Sequence, residues 1–201
     1  MRREMTEDAI WIRTDEAEDV AASVRHVMRC RVLAGEDPQA WKWMALALHA
    51  ALQGALVCHL VTTASPLGVV TDRNAQEWAD YFEKSRTDRE CRPPETRLLD
   101  LPELIKLARK PRSAGDGRDA LIRVSDAELV WLRRFHADIR NQFVHFEPMG
   151  WSVEVSGLAS LAALISRIIE DTIQGGWAFR HKDVMWRDAL RTELAALASR
   201  D

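Results

Sequence analysis

The stretch from Trp41 to Ala64, WKWMALALHAALQGALVCHLVTTA, decides the class of fold. Its apolar residues (Trp41, Met44, Leu46, Leu48, Leu52, Leu56, Val57, Leu60 and Val61) leave no polar side on a helical wheel. A helix that is hydrophobic all round belongs in the middle of a bundle. Asp37-Pro38 supplies a cap and a proline for its first turn, so the helix is expected to start there and to run to about Ala64. Ala45, Ala47, Ala50, Ala51, Gly54 and Ala55 let neighbouring helices approach closely. His49, Gln53, His59 and two threonines interrupt the run, so a core helix is expected rather than a membrane span.

Working outward, helical periodicity recurs on both sides. Asp15 to Leu33 carries a one-sided stripe of Val20, Val24, Val27, Met28 and Val32, closed by Gly35. Asn74 to Ser85 places Trp78, Tyr81 and Phe82 on one side. Leu101 to Arg109 is a short helix, and Lys110 to Asp119 a loop. Ser125-Asp126-Ala127-Glu128 is a capping box that opens a helix to about His145. Trp151 to Val155 alternates and is expected to be extended. Gly157 to Gln174 is amphipathic, and Trp186 to Ser199 is a last helix packed on the core. The expected architecture is all-α: one bundle domain over 1–201, of about four to six helices, with its core in 15–174.

The chain has 201 residues and is 47% hydrophobic, enough to build a core without metals or disulfides. Lys and Arg number 28 against 31 Asp and Glu, a net charge of −3, so any anion site must be local. Cys30, Cys58 and Cys91 are odd in number and form no C-x-x-C pair, which excludes a disulfide framework. The start, MRREMTEDAI, is charged where a signal peptide needs an apolar run. A soluble, cytoplasmic chain without membrane association is expected. No Gly-rich phosphate loop, Gly-x-Ser-x-Gly or H-E-x-x-H occurs, so no cofactor and no metal are expected.

The chemistry-bearing stretch is Leu129 to Glu147, LVWLRRFHADIRNQFVHFE. At about 100° per residue, Leu132, Phe135, Ile139, Phe143 and Phe146 form a core face. Arg140, Asn141 and His145 project from the other side, and Asn141 and His145 are an i,i+4 pair that can touch. The only Arg-x4-His match in the chain is Arg140 with His145.

Arg140-Asn141-Gln142-Phe143-Val144-His145 resembles the signature of the HEPN superfamily: an arginine and a histidine a few residues apart, late in a helix of an all-α protein. The resemblance implies a homodimer in which both copies of the motif helix line one cleft. In active members it implies metal-independent cleavage of RNA. It also implies a toxin-like or defence role with an antitoxin-type partner protein. Histidine can move protons near neutrality, arginine holds phosphate oxygens with a fork of donors, and asparagine can orient either. Arg140, His145 and Asn141 are therefore the candidate catalytic residues.

Between Lys106 and Arg123, Lys106, Arg109, Lys110, Arg112, Arg118 and Arg123 face only Asp116 and Asp119. Arg109, Lys110, Arg112 and Arg118 are the candidate RNA-binding residues, with a solvated surface loop as the alternative. His136, one turn before Arg140, reads as a boundary histidine or an extension of the site. His49 and His59 read as core histidines that need hydrogen-bond partners. Trp41, Trp43, Trp78 and Trp131 read as packing residues. Other readings of the same helix face are a non-catalytic dimerisation or binding module, and a bundle that binds a small molecule or nucleotide.

Overall fold

The computed structural model describes residues 11–62, 66–110, 122–145, 150–175 and 178–199. The fold is an all-α bundle. Its helices are α1 (Glu16–Leu33), α2 (Ala40–Leu60), α3 (Asp72–Lys84), α4 (Leu101–Ala108), α5 (Asp126–Arg134), α6 (Asn141–His145), α7 (Leu158–Gln174) and α8 (Val184–Ala198). A π-helical segment, Phe135–Arg140, joins α5 to α6. No strand forms among the described residues; a single antiparallel bridge pairs Val70 with Leu98.

Helix α2 is central, in contact with α1, α4, α7 and the π segment. By length and apolar composition it is the one described helix that could cross a membrane, and most of it is buried inside the bundle. It is shorter than expected at both ends. A tight lead-in of i→i+3 bonds (Ala40 to Asp37, Trp41 to Pro38, Lys42 to Gln39) precedes it. At its end, Val61 turns to extended backbone (φ −78°, ψ 113°), where β-branched residues are at ease. Its small residues do bring a neighbour close: a Cβ added at Gly54 would lie 2.8 Å from Val20 Cγ2 of α1.

The other helices start where side chains satisfy their first amides. The Asp15, Asp100 and Asp183 carboxylates accept from the amides of Glu18, Glu103 and Trp186. Ser125 and Glu128 cap each other reciprocally at the start of α5. Asp183 places the start of α8 at Val184, two residues before the expected Trp186. Helix α8 buries Leu190, Leu194 and Leu197, and the Arg31 guanidinium donates to the carbonyl of Ser199 at its C-terminal end (2.9 Å). Helix α3 lies at the edge. Its buried Asn74 anchors it by donating to the Glu95 carbonyl (2.8 Å) and accepting from the Arg97 amide (2.8 Å).

The helix that carries the motif departs most from expectation. It is α-helical to Arg134, π-helical to Arg140, then α-helical again. Leu132 and Phe135 are buried as the core stripe predicts, and Leu129 is buried with them. Ile139 and Phe143 are only half-buried, so the helix leaves the core as it nears the motif. Phe146, the last residue of the expected stripe, lies outside the described residues. The segment 151–155 has no regular secondary structure and joins no ladder, so the expected strand does not form; Trp151 packs on Phe143 with ring centres 4.7 Å apart.

Candidate functional site

The site begins with the capping box. It fixes where α5 starts; His136, eleven positions after Ser125, is the residue that meets His49 of α2. Around Phe135 the backbone switches register, and the amide of Asn141 donates to the carbonyl of His136, five residues back. Such wide turns are rare and collect at functional sites. The switch stacks His136, Arg140 and Asn141 on adjoining turns.

Arg140 Nη1 donates to Asn141 Oδ1 at 2.9 Å, and both residues are half-buried. A guanidinium has no acceptor, so the Asn141 amide must present its oxygen to Arg140 and keep both N–H donors for other partners. No carboxylate pairs with Arg140 among the described residues; Asp138, two residues away, is exposed and forms no ion pair with it. Glu147, the other nearby acid, lies outside the described residues.

His145 is exposed and forms no hydrogen bond or ion pair among the described residues. Asn141 and His145, which can touch by spacing, form no hydrogen bond with each other; the Asn141 oxygen accepts from Arg140 instead. Arg140 and His145 are five residues apart. In α geometry that is about 140° around the axis and about 7.5 Å along it. Within one protomer they occupy different sides of the helix end.

The structure pairs His49, read from the sequence as a core histidine, with His136, read as a boundary histidine or an extension of the site. His49 of α2 is 4% exposed, and its Nε2 lies 2.9 Å from His136 Nδ1. The two rings are 5.2 Å apart and inclined by 26°. Burial, then the positive charge of Arg140, then His136, pushes the His49 pKa down to about 3, so His49 is neutral in all ordinary conditions. His136 is lowered too, by burial and by Arg140, against an opposing pull from Asp100 at the start of α4. Arg140 therefore sits on the side of the two neutral histidines. One signal was available in the sequence: His136 precedes Arg140 by four residues, which is one turn on the same side.

The candidate RNA-binding residues fare differently. Arg109 donates to Asp126 at 2.7 Å, so its charge is already matched by a carboxylate. That pair stands at the start of α5, about 20 Å along the helix from Arg140. Lys110 is exposed; Arg112 and Arg118 lie outside the described residues. Arg123, at the far end of the basic stretch, is bound to the buried Asp171 of α7 (2.8 Å), which also accepts from its backbone amide (3.1 Å).

A cleft of about 460 Å³ opens between the motif helix and the segment 152–158, lined by Trp131, Arg134, Asp138, Gln142 and Glu154 among others. Arg140, Asn141 and His145 are not among its lining residues. Among the described residues no three His, Cys, Asp or Glu side chains converge as a metal site.

No protein-family model, curated protein or solved structure matches the chain. The site is therefore read from its own chemistry.

Proposed function

We propose that this chain is a HEPN-like, metal-independent endoribonuclease that works as a homodimer. Arg140 binds the scissile phosphate, His145 transfers protons, and Asn141 holds the arginine. The observation that carries this reading is the state of Arg140. It is a guanidinium unmatched by any carboxylate among the described residues, in a chain with more acids than bases. Such a group is free to take phosphate oxygens through its fork of donors.

Cleavage without a metal removes the proton from the 2′-hydroxyl, holds the negative charge on phosphorus, and supplies a proton to the departing 5′ oxygen. One imidazole serves poorly as base and acid in the same step. Two copies of the site across a twofold axis divide the work. The motif helix leaves apolar residues open for that pairing: Val130, Ala137 and Val144 are all exposed. An antitoxin-type partner, implied by the same resemblance, belongs to this proposal.

These exposed apolar residues also favour a second reading, a non-catalytic dimerisation or binding module that uses the same helix. Mixed dimers separate the two. Arg140→Ala and His145→Ala protomers are each inactive on labelled RNA in the enzyme reading. Mixed together, they regain part of the activity through one composite cleft. A strict monomer in sedimentation, or no activity in any combination or in the unaltered protein, would favour the module.

A further inference from the structure

We infer that His136, held in place by the buried His49, is the third donor of a phosphodiester-binding site formed with Arg140 and Asn141. The inference rests on the reading of Arg140 as a phosphate ligand and adds residues that the motif does not contain. Three observations carry it.

First, the π-helical register joins the Asn141 amide to the His136 carbonyl and stacks the three residues on adjoining turns. Second, their chemistry is that of an anion site. Arg140 has only donors, and Asn141, with its oxygen committed to Arg140, keeps its two N–H donors. Third, His136 has what His145 lacks among the described residues, a hydrogen-bond partner for its ring. His49 Nε2 meets His136 Nδ1 at 2.9 Å, from the middle of an apolar helix. When the neutral His49 donates its Nε2–H, the proton of His136 is confined to Nε2, on the edge of the ring away from His49. Imidazoles set for binding or catalysis are commonly fixed by a hydrogen bond at the other nitrogen.

The charged and titratable groups acting on His136 are His49 from α2, Asp100 from the start of α4, and Arg140 from its own segment. Asp100 Oδ1 is already used by the Glu103 amide at the α4 cap. A phosphodiester therefore meets two neutral donors and one cation. No covalent step is needed for this site to bind.

The test uses a 2′-O-methyl RNA oligonucleotide, which cannot be cleaved through its 2′ oxygen, with fluorescence anisotropy at pH 7. His136→Ala should weaken binding about tenfold. His136→Gln, which keeps an N–H donor, should stay within about threefold. His49→Phe, which leaves His136 without its partner, should weaken binding, and His49→Gln should restore it. On the unaltered protein, the His136 imidazole ¹⁵N resonances should report an Nε2–H tautomer and shift on titration with the oligonucleotide. If Arg140→Ala weakens binding while His136→Ala does not and the His136 resonances stay still, this inference is overturned and the reading of Arg140 stands. If Arg140→Ala also leaves binding unchanged, or the unaltered protein does not bind, both are overturned.

Discussion

Acid should unfold this bundle through His49, and the size of the effect follows from its surroundings. In the unfolded chain its imidazole titrates near 6.5; in the bundle it titrates at about 3. Between those values the unfolded state binds a proton that the folded state refuses. The contribution of His49 is therefore fully present above pH 6.5 and is lost as the pH falls towards 3. From pH 7 to pH 5 linkage gives a loss of about 2 kcal/mol, and from pH 7 to pH 4 about 3 kcal/mol. For a chain of this size the first figure lowers Tm by roughly 4–8 °C. Thermal and urea unfolding at pH 7, 6 and 5 measure it, with His49→Gln as the reference. Glutamine does not titrate and can still donate to His136. The difference in slope between the two proteins isolates His49 from His136, which is lowered in the same direction, and from the carboxylates, which titrate mainly below pH 5 in the unfolded chain. Parallel pH dependences in the two proteins would refute the reasoning.

Gly54→Ala should cost about 1–2 kcal/mol in urea unfolding, since its new Cβ would meet the fully buried Val20 at 2.8 Å, outweighing a helix-propensity gain of about 1 kcal/mol. Val20→Ala should then cost less in the Gly54→Ala background than alone, and equal costs would count against the close contact. Asp171→Ala should destabilise by about 1–3 kcal/mol, because it leaves the Arg123 amide without its acceptor and removes a buried carboxylate paired with Arg123 and Arg167; a neutral outcome would show that the pair is not needed. Arg109→Ala should change RNA affinity less than about twofold, since Asp126 already matches its charge. Lys110→Ala, at an exposed cation, should lower the salt slope of binding by about 1, and the reverse order of the two effects would contradict the placement of Arg109.

The bundle was legible because its signals are local and redundant. The all-round apolar face of Trp41 to Val61 places α2 at the centre, and Ser125 with Glu128 marks the start of the motif helix. Helix ends were less legible where no side chain marks them: α2 stops at Leu60 because Val61 adopts extended backbone, which no glycine or proline announces. The π-helical segment was not legible. Nothing in Phe135-His-Ala-Asp-Ile-Arg140 distinguishes it from an α-helix. The wheel put Arg140 and His145 on the solvent side although they stand about 140° apart on it, and it gave no sign that the charge of Arg140 acts on both His136 and His49. The pairing of His49 with His136 spans 87 residues, and only tertiary packing brings the two rings together.

Incubating the protein with end-labelled RNA in excess EDTA, beside Arg140→Ala, tests the central claim most directly. Cleavage by the unaltered protein, reduced by at least about a hundredfold when the guanidinium is removed, is the predicted result. Intact RNA with the unaltered protein, or equal cleavage by both, would contradict it.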